Sequence, residues 1–151
     1  MENATTVQEI KLVYHPSSKV YDSKEITSSK NAYNLLKNVF NDDTIALQEE
    51  FHAIFLNRQN KLLGTLKLSL GGTSSTVVDL KILFGAALKG CASGIILSHN
   101  HPSGNMHASE QDLSLTAKVK EACKLFDISL LDHLIIGLKD DYISLADLGQ
   151  L

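Results

Sequence analysis

The sequence is poor in three features that would each assign it to a class of protein: cysteine, clustered positive charge and long apolar runs. Only two of the 151 residues are cysteines, Cys91 and Cys123. They lie far apart in helix-like patterns, which predicts reduced, buried side chains rather than a disulfide or a Cys-x-x-Cys metal clip. The net charge of −3, with no block of Lys and Arg, gives no footprint for a phosphate backbone. Residues 1–6 lack the basic start and apolar core of a signal peptide, and no apolar run could span a bilayer, so we expect a cytoplasmic chain without membrane contact.

The remaining pattern indicates one α/β domain. A length of 151 residues is enough to bury a core without disulfides or metal ions as staples. Apolar and polar residues follow strand periodicity at residues 7–15, 51–56, 62–70, 94–97, 128–137 and 142–145. Helical periodicity covers three segments. The first is residues 28–40 and ends at residues 41–43. The second is residues 80–91, with Leu88 and Cys91 on its buried stripe, and the third runs from Ser109 to Phe126. The alternation, without repeats or a linker, predicts a sheet with helices on both faces over residues 1–151.

Two histidines stand at the end of the apolar run 94–97. His99 and His101 are two residues apart in extended chain, so both rings can point to one place while Asn100 turns away. Pro102 then takes the chain out of the strand direction. This arrangement is suited to binding a metal ion at the end of a buried strand.

Asp112 supplies the third ligand in this interpretation. At helical pitch it shares a stripe with Val119 and Cys123, so its carboxylate faces the sheet, where it requires a partner. Two histidines and one aspartate, with a fourth position left for water, are typical of a catalytic zinc site. Such a site also needs a proton acceptor that does not bind the metal, and Glu49, at the start of the predicted central strand, is the candidate.

These residues resemble a known family signature. The order His99-x-His101, seven residues, Ser109, two residues and Asp112, with an upstream Glu, is similar to the JAMM motif of MPN+ metalloproteases. The resemblance is narrower to the bacterial RadC-like branch and covers residues 28–151. It is carried further by the sequences Asn100-His101-Pro102-Ser103-Gly104, Leu131-Asp132-His133-Leu134-Ile135-Ile136-Gly137 and Tyr142-Ile143-Ser144.

The resemblance implies a three-layer α/β/α fold with a central mixed sheet, related to the cytidine deaminases. It implies one Zn²⁺ on His99, His101 and Asp112, Glu49 as general base, and Ser109 as a group that stabilises the oxyanion. The reaction implied is hydrolysis of a peptide or isopeptide bond in a protein or peptide substrate. RadC proteins carry a helix-hairpin-helix DNA-binding domain ahead of this part, which the sequence lacks. Residues 1–27 are then an N-terminal strand and connector ahead of the core at 28–151.

Several of these residues have simpler interpretations. Ser109 and Asp112 have the spacing of a helix capping box, a role that is compatible with the catalytic one. His107 is a competing ligand or a solvated loop residue, and Glu50 is the alternative to Glu49. The neighbours Asp132 and His133 face opposite sides of a strand, so only one of them can face the site, in a structural or supporting role. His15, His52 and Lys81 are interpreted as residues without chemistry.

Three functions therefore compete. The first is a zinc-dependent hydrolase of amide bonds. The second is a metal-binding interaction module without turnover, linked through the family to DNA repair or mobile elements. The third, metal-dependent nucleic-acid chemistry, has no support from the charge balance.

Overall fold

The computed structural model describes residues 24–71 and 77–151, which contain three helices and five strands. In chain order they are α1 (Ser29–Leu36), β1 (Glu50–Leu56), β2 (Leu62–Leu70), α2 (Leu80–Lys89), β3 (Gly94–Asn100), α3 (Glu110–Lys124), β4 (Ser129–Ile136) and β5 (Tyr142–Ser144). The strand predicted over residues 7–15 lies outside the described residues.

The five strands form one mixed sheet in the order β2-β1-β3-β4-β5. β1 pairs antiparallel with both β2 and β3, which confirms the predicted hairpin, and β4 pairs antiparallel with β5. β3 and β4 run parallel, and α3 makes the connection between them. The strand that ends at the two histidines, β3, is therefore the middle strand, and it is buried along its whole length.

Each face of the sheet is covered by helices, so the predicted three-layer α/β fold is confirmed. On one face, α2 and α3 pack against β1 and β3 through Leu83, Phe84, Ala87, Val119, Cys123, Phe51, Ala53, Phe55, Ile95 and Leu97. On the other face, α1 packs through Ala32, Tyr33, Leu36, Ile54, Leu56, Ile96, Leu134 and Ile136. Alternation along β3 puts His99 on the face of α2 and α3 and Asn100 on the face of α1.

The first helix is shorter than its apolar stripe predicts. α1 begins after the N-cap Ser28 and ends at Leu36, not at residues 41–43. The Asn38 side chain donates to the Asn34 carbonyl, which the Asn38 backbone N–H would use in a continued α-helix; that N–H bonds Leu35 instead. The chain goes on in turns that still bring Phe40 into the core.

The buried stripes predicted for the other two helices extend too far at their C-terminal ends. α2 ends at Lys89, Leu88 is 49% exposed, and Cys91 has a positive φ of 52° that leaves its side chain exposed. α3 ends at Lys124, so Phe126 lies in the following turn and is 44% exposed. Cys123 is buried as predicted.

β3 is longer than the apolar run that predicts it. Its parallel pairing with β4 continues to Asn100, so His99 lies within the strand and only His101 follows it. Among residues 24–71 and 77–151, no helix has the length and apolar character needed to cross a membrane.

Candidate metal centre

Three side chains meet at the end of β3, one from the strand, one from the loop after it and one from α3. His99 is fully buried, and His101 and Asp112 expose 15% and 13% of their side chains. The His99 Nε2 atom lies 2.9 Å from His101 Nε2 and 3.2 Å from Asp112 Oδ1. The distance from His101 Nε2 to Asp112 Oδ2 is 3.4 Å. One ligand atom from each residue fits within 4.8 Å of the others, so the three predicted ligands could hold one metal ion.

The loop after β3 fixes the orientation of His101. Its Nδ1 atom lies 2.7 Å from the Asn105 carbonyl oxygen, in a turn that Gly104 makes with a φ of 75°. Because a carbonyl oxygen only accepts, Nδ1 carries the proton and Nε2 presents a lone pair to His99 and Asp112. A ring lone pair beside a carboxylate is a donor set that suits a borderline first-row cation such as zinc.

Electrostatics couple the three ligands. Burial opposes ionisation of Asp112, but its close contacts with the His101 and His99 rings and the hydrogen bonds from Ser109 outweigh burial and hold its pKa far below the ordinary value. The same contact with Asp112, against the effect of burial, raises the pKa of His101. A proton and a metal ion therefore compete for His101, as is usual for imidazole ligands.

Ser109 and Asp112 form the predicted capping box at the start of α3. The backbone N–H and the hydroxyl of Ser109 both donate to Asp112 Oδ2 at 2.7 Å. The Asp112 backbone N–H donates back to Ser109 Oγ at 3.1 Å. The helix cap therefore also fixes the carboxylate of the candidate ligand Asp112, and the capping role is compatible with metal binding.

Glu49 borders the same space. It lines a cavity of about 840 Å³ together with Phe51, His101, Ser109 and Asp112. Partial burial raises the pKa of Glu49, and the nearby histidines His99 and His101 lower it less than burial raises it. A carboxylate with a raised pKa beside a metal-binding group has the properties of a proton acceptor and donor.

Glu50, the alternative base, faces the other side of the sheet. Its carboxylate is buried and lies 2.9 Å from His52 Nε2, 3.0 Å from Lys67 Nζ and 3.2 Å from Thr44 Oγ1. Burial opposes its ionisation, but these hydrogen bonds lower its pKa overall. His52 is thus a partner of Glu50, a contact that the sequence interpretation did not assign.

Asn100 is a residue of the site region that sequence reasoning missed. Its side chain accepts from the Glu50 backbone N–H at 2.7 Å and donates to the carbonyl oxygens of Ile45 at 2.6 Å and Gln48 at 2.9 Å. The Glu49 carbonyl in turn accepts from Gly71 N–H at 2.8 Å. The backbone is therefore held on both sides of Glu49, by the residue between the two histidine ligands.

His133 is the member of the Asp132-His133 pair that faces the metal ligands. A register shift between β3 and β4 pairs Ile95 with Leu130 but Ile96 with Asp132. The shift brings His133 beside Leu97 and puts its ring against His99, with 2.8 Å between His133 Nε2 and His99 Nδ1. His133 is fully buried, and burial holds its pKa well below the usual value.

The other candidates have simpler surroundings. Asp132 accepts from Ser144 Oγ and the Ala146 backbone N–H on the opposite side of the strand. His107 lines the cavity but is exposed and is not one of the three grouped ligands. Lys81 is exposed on α2, as interpreted.

Comparison with known proteins places the chain among bacterial relatives. The family model described as a RadC-like JAB domain matches residues 26–150. A UPF0758 protein of Flavobacterium johnsoniae is 40% identical over 126 residues, covering 83% of this chain and 53% of that protein. One from Porphyromonas gingivalis is 40% identical over 136 residues, covering 90% and 59%, and one from Listeria monocytogenes is 41% identical over 102 residues, covering 68% and 45%. The chain thus spans about half the length of these curated relatives, and their names state no activity.

Proposed function

Because the chain belongs to the RadC-like JAB domain family, we propose that it is a zinc-dependent hydrolase that cleaves peptide or isopeptide bonds. One observation carries the proposal: His99, His101 and Asp112 converge on one point, and His101 and Asp112 line the same cavity as Glu49. A metal site open to a cavity, with a carboxylate beside it that is not a ligand, is the arrangement of catalytic rather than structural zinc.

The metal and the protein have separate tasks in this proposal. A zinc ion at His99, His101 and Asp112 would polarise the scissile carbonyl group and make a water molecule more acidic. Glu49 accepts the proton of the attacking water and passes it to the leaving amine, so its carboxylate is ionised again at the end of the cycle. The raised pKa of Glu49 supports both halves of this proton transfer.

Ser109 has two proposed tasks. Its hydroxyl and backbone N–H hold Asp112 Oδ2, which keeps the ligand carboxylate in place. Ser109 also lines the cavity, which supports its predicted role as a donor to the oxyanion. When the hydroxyl turns to the substrate, the backbone N–H of Ser109 still holds Asp112.

The cavity supports a polypeptide substrate. Phe51, Val78 and Leu115 form apolar wall positions, and the described lining residues include no Lys or Arg. Without such cations the cavity has no groups to bind a phosphate backbone, which supports a protein or peptide over DNA. A partner that binds without being cleaved is the competing function, and turnover measurements distinguish the two.

The test is hydrolysis by the zinc-loaded protein of quenched fluorescent peptides and of lysine-linked isopeptides. We expect Glu49→Gln to retain wild-type zinc content and lose at least a hundredfold in turnover, since general acid–base groups contribute about 10² to 10⁴. Glu50→Gln is the matched control and retains turnover, because Glu50 faces the other side of the sheet. Zinc binding without turnover on any of these amides would refute the hydrolase and leave the interaction module.

A further inference from the structure

A chain of buried side chains runs from His99 away from the cavity into α3. His99 Nδ1 lies 2.8 Å from His133 Nε2, and His133 Nδ1 lies 2.6 Å from Thr116 Oγ1. Thr116 Oγ1 lies 2.6 Å from the backbone carbonyl oxygen of Asp112. The chain therefore joins two of the three metal ligands, on β3 and α3, through β4.

The direction of each hydrogen bond in this chain follows from its last member. The Asp112 carbonyl can only accept, so the contact at 2.6 Å requires the hydroxyl proton of Thr116. Thr116 Oγ1 then has only lone pairs to offer to His133, so the proton between them belongs to His133 Nδ1. The His133 ring is fully buried between His99 and Thr116, where a charged ring is disfavoured, so it carries one ring proton. His133 Nε2 therefore accepts, and the proton between the rings belongs to His99 Nδ1.

His99 is then held in one tautomer. With its proton on Nδ1, its lone pair lies on Nε2, the atom that points at His101 and Asp112. The reverse direction would put a hydroxyl lone pair against the Asp112 carbonyl oxygen at 2.6 Å and a proton on His99 where the metal binds.

We propose that Thr116 and His133 are positioning residues that fix His99 in the tautomer competent for metal binding, so that a hydroxyl outside the metal-binding motif controls metal affinity. The inference rests on the metal site of the proposed function. It adds to that function a residue in the middle of α3, Thr116, that affects the metal affinity. Groups that hydrogen-bond a ligand typically change metal affinity by about 10- to 100-fold.

The first test reads the tautomers directly by nitrogen-15 NMR of the histidine rings, with and without Zn²⁺. We expect His133 to carry its proton on Nδ1 in both states, and His99 to carry its proton on Nδ1 with Zn²⁺ bound at Nε2. A proton on His133 Nε2 would overturn the proposal. The measurement uses the wild-type chain, so it does not depend on how a variant folds.

The second test measures Zn²⁺ affinity by competition with a chelator. Thr116→Val keeps the shape of the side chain and removes the hydroxyl, and we expect affinity to fall about 10- to 100-fold. Thr116→Ser restores the hydroxyl and should stay within threefold of wild type. Thr44→Val is the matched control, since it removes a threonine hydroxyl that bonds Glu50 on the other face. Equal affinities for wild type and Thr116→Val would overturn the proposal.

The two proposals fail differently. A wild-type chain that binds Zn²⁺ but hydrolyses nothing refutes the hydrolase and leaves the affinity series intact. A protein that binds no Zn²⁺ refutes the metal site. The histidine tautomers of the metal-free protein still decide whether Thr116 directs the hydrogen bonds through His133 to His99 as argued.

Discussion

Replacing Asn100 by leucine should destabilise the protein strongly, because one amide group makes three buried or partly buried hydrogen bonds. The substitution keeps the size of the side chain and removes every polar contact to Ile45, Gln48 and Glu50. The Glu50 N–H is left unpaired in a buried strand, at a cost of about 1–3 kcal/mol. The two carbonyls lie in a more exposed segment that can reach water, so each loses only the net value of a bond, about 0.5–1.5 kcal/mol.

The free energy of unfolding should therefore fall by about 2–6 kcal/mol, a large part of the 5–15 kcal/mol typical of a domain. Urea unfolding followed by circular dichroism measures the loss. Asn38→Leu is the control: its side chain makes one exposed hydrogen bond to Asn34, so we expect a change within about 0.5 kcal/mol. A loss below 1 kcal/mol for Asn100→Leu would refute the argument that this amide holds the backbone around Glu49.

Three further predictions concern other parts of the molecule. Ser109→Ala removes the N-cap of α3 and a hydrogen bond to the candidate ligand Asp112. We expect the free energy of unfolding in urea to fall by about 1 kcal/mol and the Zn²⁺ affinity, measured by chelator competition, to fall about tenfold. Wild-type values of both would contradict this. The pKa of Glu50 is lowered, so its ionised form stabilises the fold above the unfolded pKa of about 4.3, and this stability is lost as the pH falls through the folded value. Glu50→Gln should therefore lose less stability than wild type when the pH is lowered. Parallel profiles of stability against pH for the two proteins would refute the role of its contact with His52. Burial raises the pKa of the Cys123 thiol to about 11, whereas Cys91 is exposed. Iodoacetamide should therefore label one thiol per native chain, at Cys91. Rapid labelling of both thiols would contradict the packing of α3.

The elements with strong periodicity could be predicted from the sequence. Each of these elements can bury its apolar side chains in one way. They are β1 with its continuous apolar run, β2 with its alternation, and α2 and α3 with their apolar stripes. The convergence of the three candidate ligands was predictable for a related reason. His99 and His101 share a strand direction, and Asp112 is fixed by helical pitch and a capping box.

Features that depend on contacts between elements could not be predicted. The orientation of His133 depends on the register shift beside Leu130, because a slip of one residue exchanges the two faces of a strand. The alternation of side chains along a strand does not by itself decide whether Asp132 or His133 faces the candidate metal ligands.

The roles of Asn100 and Thr116 were hidden for the same reason. Asn100 turns away from the metal ligands, as alternation predicts, but the loop that it holds is adjacent only in space. Thr116 belongs to the apolar stripe of α3, where a hydroxyl gives no sign of a partner until β4 is placed beside it. A useful signal was available: a buried polar residue on an apolar face requires a hydrogen-bond partner.

The most direct test of the account is the metal content of the purified chain, measured by elemental analysis in a buffer without chelator. We predict one metal ion per chain for the wild type and for His107→Gln, whose side chain is an exposed loop residue, and almost none for His101→Gln with native circular dichroism. A wild-type chain without metal after incubation with zinc, or a His101→Gln chain that retains it, would contradict the assignment of His99, His101 and Asp112 as the metal centre.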